Sequence, residues 1–410
     1  MRILIINHSD QSGGASQASM RLMHALNRQG VATRMLVADR QTGDPDVDVL
    51  ESKWRHNWNF VAERLGVMVR NGFSRESLFK IDPAWLGTDL SHHPRVAEAD
   101  VIVLAWVNQG MLSLGQVARL AATGKPVVWI MHDMWNCTGV CHYAYDCTNY
   151  HGECRHCPVV GRDYTRLALA TQRRKARLYA STDIRFVAVS NWLADCCRDS
   201  SLMGGLPVEM ISNPMPCSRY AWQRDNDDSV EAGKVVMVMG AARLDDPVKG
   251  FDVLIDTTRH IANHRPDLAR RLHLLLYGDI RQEALLAQIA VDYTHLGYRS
   301  DINDVLRKAD ILLSTARYES FGYTIVEGMA SGCTPVVAGL GGQTDIVTHL
   351  TDGYLARSLD PEQITRGIEW AIEARLDRKT QHERAVERFD DEKIAGRFIS
   401  LFESLIKKSR

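Results

Sequence analysis

Short apolar runs of strand length recur along this chain, each followed by an amphipathic stretch, and that alternation admits few folds. In the first half the runs are RILIINH (2–8), ATRMLVA (32–38), VIVLAW (101–106), PVVWIMH (126–132) and RFVAVS (185–190). In the second half they are VVMVMGA (235–241), HLLLYGD (273–279), THLGY (294–298), DILLST (310–315) and TPVVAG (334–339). Strands apolar on both faces, interleaved with helices, predict parallel sheets covered by helices on both sides. A chain of 410 residues exceeds one ordinary core and suits two such domains, with a ligand cleft expected between the carboxyl ends of their sheets.

The fold class is thus α/β, two Rossmann-like domains facing a central cleft. The boundary is expected where ISNPMP (211–216) gives way to the acidic run WQRDNDDSVEAGK (222–234), since proline and clustered charge continue neither core. That gives an N-terminal domain 1–216, a C-terminal domain 217–390, and a last helix 391–410 expected to pack back toward the N-terminal domain. From 381 onward the chain has helical periodicity, with Ile394, Phe398, Leu401 and Leu405 on one face.

Lys plus Arg number 49 against 50 Asp plus Glu, a net charge of -1, so no global field recruits nucleic acid and any basic site is local. The opening MRILIINHSD reads as a buried strand rather than a signal peptide, and no apolar run approaches the roughly 18 residues of a membrane span. The expected location is the cytoplasm, soluble or at the inner face of the membrane.

The second half holds the sharpest constellation. Glu319 and Glu327 in RYESFGYTIVEGMASG lie about 12 Å apart if the stretch is helical, too far to share a proton, so they serve different parts of a ligand or none. A helix starting near Gly322 points the N–H groups of Gly322, Tyr323 and Thr324 toward the cleft, an anion site. Arg243 and Lys249, in the loop after the domain's first strand, suit a diphosphate. Taken singly, each charge reads as surface decoration; joint placement at strand ends favours a site.

The order R-x5-K-G, then E-x-F-G-x4-E, then GMASGCTPVVAGLGGQTDIV resembles the C-terminal domain of retaining GT-B glycosyltransferases of family 4. The resemblance implies that Arg243 and Lys249 hold the donor pyrophosphate, Glu319 the donor sugar and Glu327 the ribose. Gly341 and Gly342 match the glycine pair of the following loop, Asp345 stands where the family often has Glu, and Gly328 replaces a common alanine. That glycine is expected to loosen its helix by up to about 1 kcal/mol.

In the first half, Gly13 and Gly14 form a Gly-Gly turn after the first strand, a weak signal alone. The resemblance sets such a loop beneath the donor phosphates and matches His132 to a frequent active-site histidine. Otherwise His132 reads as a packed or solvated loop residue. The segment WNCTGVCHYAYDCTNYHGECRHCP (137–158 at its core) follows, with Cys137, Cys141, Cys147, Cys154 and Cys157. Cys154-x2-Cys157 has knuckle spacing, but five thiols with His142, His151 and His156 leave the ligand set open. A polysaccharide-biosynthesis subset of family 4 shares Cys141, Cys147, Cys154 and Cys157, and by that resemblance these four would bind a structural zinc. The alternative is reduced thiols or labile disulfides without metal. The stretch 161–180 then carries six basic residues and one acidic, a solvated helix or a membrane contact.

The expected function is retaining transfer of a sugar from a UDP- or GDP-sugar to a hydroxyl of a growing, lipid-linked bacterial polysaccharide, with no cofactor required for catalysis. The catalytic group would be Glu319, His132, Arg243 and Lys249. Two other readings are a GT-B phosphorylase or nucleotide-sugar epimerase, and a non-catalytic sugar-nucleotide-binding scaffold.

Overall fold

Runs dense in Val, Ile, Leu and Met form the central strands, as expected of sheets buried on both faces. The structure is a computed structural model that describes residues 1–50, 53–73, 75, 77–160, 166–224, 233–299 and 301–409. The chain divides into two units, Met1–Pro214 with Ile394–Arg410, and Met215–Lys393. Most of the acidic run at the expected boundary, 225–232, lies outside the described residues.

The first unit holds a parallel sheet of β1 (Arg2–Ser9), β2 (Ala32–Asp39), β3 (Val47–Val49), β4 (Val101–Leu104), β5 (Val127–Met131), β6 (Ile184–Ala188) and β7 (Val208–Met210). Its order is β3-β2-β1-β4-β5-β6-β7. The second holds β8 (Val235–Arg243), β9 (Leu272–Asp279), β10 (Asp292–His295), β11 (Ile311–Ser314), β12 (Thr334–Ala338) and β13 (Tyr354–Ala356), in the order β10-β9-β8-β11-β12-β13. All pairings between these strands are parallel. In each sheet the order reverses beside the unit's first strand, between β1 and β4 and between β8 and β11. Such a reversal opens a crevice at the carboxyl ends of the two strands.

The ten expected strands are present, with ends shifted by a few residues. Three edge strands were not expected: VDV of β3, VEM of β7 and YLA of β13 are too short and mixed to show a pattern. The C-terminal region differs too. It forms two helices, Arg378–Phe389 and Asp391–Ser409, separated at Asp390. Ile394, Phe398 and Leu401 of the second are buried, as are Ala395 and Phe402, while Leu405 is half-buried. Among the described residues no helix is long and apolar enough to cross a membrane.

Candidate functional site

The reversal between β8 and β11 brings the second unit's candidate charges together. Arg243 is the last residue of β8, and Lys249 ends the tight turn Pro247–Lys249, which Asp246 caps by accepting the Val248 N–H at 3.1 Å. Thr315, just past β11, anchors that turn by donating its hydroxyl to the Gly250 carbonyl at 2.8 Å. Gly250 has φ 69°, and a Cβ there would stand 2.0 Å from the Thr315 carbonyl oxygen, so only glycine allows this approach.

Lys249 Nζ then reaches Glu319 Oε2 at 2.9 Å. The Glu319 carboxylate holds the lysine pKa above its ordinary value, against the opposing effect of burial. Arg243 leans on Asp245 and Asp246, each 3.4 Å away. Its buried Nε faces Asp245 Oδ1 in that ion pair, without a hydrogen bond of good geometry among the described residues.

The helix Tyr323–Ala330 starts at Gly322, whose φ of 113° lets the chain turn sharply from the Glu319 loop into the helix. The loop is held from the other side by the glycine pair. The Gly342 N–H donates to the Glu319 carbonyl at 2.7 Å. A Cβ on Gly341 would lie 2.5 Å from that oxygen, and one on Gly342 2.2 Å from the Ser320 carbonyl. Gln343, fully buried, accepts from Ser314 Oγ at 2.7 Å and donates to the Ala316 and Leu340 carbonyls, each at 3.1 Å. Sequence reading missed Thr315 and Gln343, which set the positions of Lys249 and Glu319.

Glu327 is almost fully buried, so it is no solvated flanking charge. The Tyr277 hydroxyl nearby titrates well above its usual range, first through burial and then through the Glu327 charge. Gly328 packs on β11: a Cβ there would come within 2.9 Å of the Leu312 side chain. Propensity alone therefore misjudges this glycine, because the helix lies close to the sheet at that position.

In the first unit, Gly13 precedes the helix Gly14–Arg28 with φ 88°. Both glycines are exposed, and a Cβ on either would meet nothing within 4 Å. His132 follows β5; burial pushes its pKa down to about 4, and its Nε2 has no hydrogen-bond partner among the described residues. Its chain neighbour Asp133 belongs to a cluster that sequence reading did not assemble. Asp133 accepts from Trp106 Nε1 at 3.1 Å and pairs with His142 Nδ1 at 2.8 Å. Burial would raise the Asp133 pKa, yet His142 and these hydrogen bonds hold it low. His8 at the end of β1 meets His56 edge-on at 5.1 Å and Trp106 at 5.6 Å. Buried ring nitrogens of His8, His56 and His142 also lack hydrogen-bond partners among the described residues. The signal available in the sequence was positional, since His8 and Trp106 flank the β1/β4 reversal.

Cys141, Cys147, Cys154 and Cys157 line one small cavity together with Thr138, Gly139, Ala144 and Tyr150. Burial raises the Cys141 thiol to about 12 and the Cys154 thiol to about 11. Cys141 and Cys154 also belong to an apolar cluster with Val67, Ile81, Val140 and Leu167. As placed, no group of three or more His, Cys, Asp or Glu among the described residues could hold a metal ion. Cys137 sits apart, beside Cys197.

Packing sorts the cations of the basic stretch after the loop, of which Arg166, Arg173 and Arg177 stay exposed. Residues 161–165 lie outside the described residues, and the helix runs Leu167–Ser181. Lys175 is buried: its ammonium donates to the Trp135 and Thr138 carbonyls and lies 3.5 Å from the Trp135 ring centre. Arg174 turns to the Pro83 and Ala84 carbonyls at 3.3 Å each. Of the three central cations, Arg173 alone is well exposed, salt-bridged to Glu153 at 3.3 Å.

Residues 233–374 match the family profile of glycosyl transferases group 1. Among curated proteins, mannosylfructose-phosphate synthase of Agrobacterium fabrum is 32% identical over 146 residues, 32% of this chain and 31% of that enzyme. The chain therefore spans about a third of that relative's length. Among solved structures, Anabaena Alr3699/HepE in complex with UDP and glucose superposes with TM-score 0.65 at 18% identity, covering 98% of this chain and 100% of that one. WaaG, a glycosyltransferase involved in lipopolysaccharide biosynthesis, does so with TM-score 0.62 at 15% identity, over 96% and 98%. These likenesses show an α/β fold of GT-B type, and with the profile match they support a glycosyltransferase.

Proposed function

We propose that the chain is a retaining, family 4-like glycosyltransferase that moves a sugar from a nucleotide diphosphate sugar to a hydroxyl of a growing bacterial polysaccharide. One observation carries this reading: Arg243, Lys249, Glu319 and the helix start at Gly322 converge at the carboxyl ends of β8 and β11. Two cations and the positive end of a helix suit a diphosphate. Glu319, tethered to one of those cations, suits the sugar joined to it, and buried Glu327 suits the ribose. The UDP and glucose named with the HepE structure agree with a nucleotide-sugar donor.

In the proposed reaction the bond from the anomeric carbon to the leaving phosphate oxygen breaks as the acceptor oxygen bonds to that carbon on the same face. The acceptor proton passes to a phosphate oxygen. Arg243, Lys249 and the first-turn N–H groups then stabilise charge on the departing diphosphate, the kind of preorganised donor set that supplies most catalysis in such sites. In the first unit, His132, held neutral, would hydrogen-bond a hydroxyl of a bound sugar, and Gly13 with Gly14 would leave room for a ligand. Thermal shift with UDP and GDP tests the donor site: a nucleotide at 100 times its dissociation constant should stabilise the chain by about 2.7 kcal/mol. Stabilisation by neither nucleotide, with no turnover of any nucleotide sugar, would defeat the proposal.

The structural zinc of Cys141, Cys147, Cys154 and Cys157 is also proposed. Its support is that all four thiols line the same cavity; as placed no three of them could hold an ion, so they would have to close in as thiolates to become the ligands. Metal analysis of protein purified without chelator should find about one zinc per chain; absence of stoichiometric metal would refute it.

A further inference from the structure

The helix Lys53–Arg70 buries mostly polar side chains beside Val67 and turns an apolar stripe outward. A helix on a protein surface ordinarily turns apolar residues inward and polar ones to water. Here His56, Asn59, Glu63 and Arg64 are buried, while Trp54 is 77% and Trp58 62% exposed. Val61, Leu65 and Val69 are each more than half exposed as well. The outward residues follow one another at spacings of four, three, four and four, which is one face of a helix.

The inward face is fixed by specific bonds, so the helix cannot roll to hide its apolar side. Glu63 accepts the Trp85 N–H at 2.7 Å. Arg64 pairs with Glu63 and with Asp82, each at 3.1 Å, and donates to the Ile81 carbonyl at 2.9 Å. The outward face continues beyond the helix through Phe73 and Phe79, both more than half exposed. Seven of the twelve large apolar side chains exposed among the described residues fall between 54 and 79, a concentration that marks an interaction surface.

Charge selects the occupant. Arg55, Arg70, Arg75 and Lys80 are exposed around this face. Of the two acids between 53 and 80, Glu63 is buried and Glu76 lies outside the described residues. A second copy docking through the same patch would set cations against cations across a two-fold axis. An anionic lipid surface offers headgroups to the arginines and acyl chains to the aliphatic stripe, and indole rings favour that boundary. We propose that the face formed by Trp54, Trp58, Val61, Leu65, Val69 and Phe73 docks on an anionic phospholipid bilayer, with the helix lying in the plane of the interface. This differs from the basic stretch 161–180 and does not depend on the glycosyltransferase reading.

The test is cosedimentation of the full chain with vesicles of phosphatidylcholine alone and of phosphatidylcholine mixed with phosphatidylglycerol. Wild type should partition onto the mixed vesicles and far less onto the neutral ones, and added salt should weaken binding. Trp54→Ser/Trp58→Ser should weaken it about tenfold or more with an unchanged melting temperature, because both indoles already face solvent. Val61→Ser/Leu65→Ser repeats the test without touching an aromatic residue, and Arg173→Glu should leave binding intact. No binding of wild type to the mixed vesicles would overturn the proposal, as would binding that both double variants retain. Loss with Arg173→Glu alone would move the contact to the other helix. A wild-type dimer that Trp54→Ser/Trp58→Ser makes monomeric, without vesicle binding, would assign the face to a second copy.

Discussion

Lys249 Nζ donates to Glu319 Oε2 at 2.9 Å, so the cation proposed for the donor phosphates and the carboxylate proposed for the donor sugar are each other's partner. A donor must compete with Glu319 for Lys249. The two residues should then respond oppositely when nucleotide affinity and turnover are measured separately.

Lys249→Ala should weaken UDP or GDP binding, whichever the chain accepts, and lower turnover by about 10²–10³-fold, the usual loss when one charge-stabilising donor is removed. Glu319→Gln should lower turnover comparably yet leave nucleotide affinity unchanged or higher, since Lys249 loses its competing partner. Titration calorimetry with the nucleotide separates the cases. Equal loss of affinity in both variants would contradict the assignment.

Gly342→Ala should destabilise the second unit by about 1–3 kcal/mol, the ordinary cost of forcing an atom into packed structure. Its Cβ would stand 2.2 Å from the Ser320 carbonyl oxygen, beside the backbone that carries Glu319. Turnover should fall in the same variant. Denaturant unfolding reads the first effect, and a stability equal to wild type would show that the loop yields.

Gly328→Ala poses helix propensity against packing. Propensity favours alanine by about 1 kcal/mol. The new methyl, 2.9 Å from the Leu312 side chain, costs about 1–3 kcal/mol. The net effect should be a loss of stability in urea titration; a stabilised variant would mean that the helix can draw back from β11.

Acid should weaken the fold beginning just below neutrality. Burial lowers the pKa of His56 and of His132 to about 4, while unfolded histidine titrates near 6.5. Between those values the unfolded chain binds protons that the folded chain refuses, so stability falls as pH drops from about 6.5 to about 4. His132→Asn should flatten that slope in melting curves taken across the range. Glu63 acts in the opposite sense: burial raises it to about 7, and its stabilising share is lost as pH rises from about 4.5 through 7. A His132→Asn variant that keeps the wild-type pH slope between 4 and 6.5 would refute the buried-neutral His132.

The strands were legible because runs such as VVMVMG and RILIIN can be little else in a sheet covered on both sides. Their reversal between β8 and β11 was not, since strand order depends on contacts distant in sequence. Arg243, Lys249, Glu319 and Glu327 stood out by spacing. The residues that set their geometry, Thr315 and Gln343, are ordinary polar types whose partners lie in other loops. The helix Lys53–Arg70 did not show as an inward apolar stripe because, apart from Val67, its buried side chains are polar and its apolar stripe faces out. In the basic stretch 161–180, counting charges could not tell which cations turn inward, as Lys175 does, from those that stay exposed, as Arg173 does.

The division of the chain also sets an order of events during synthesis. The second unit, Met215–Lys393, is an uninterrupted segment placed inside the first, whose remaining part begins at Ile394. Chains fold largely as they emerge from the ribosome, unit by unit. Here the second unit has all its residues before the first does, and the first unit must wait for the segment that carries the buried Ile394, Phe398, Leu401 and Phe402. A nascent chain stalled before Ile394 would carry a finished second unit and an unfinished first one, open to chaperones or proteases.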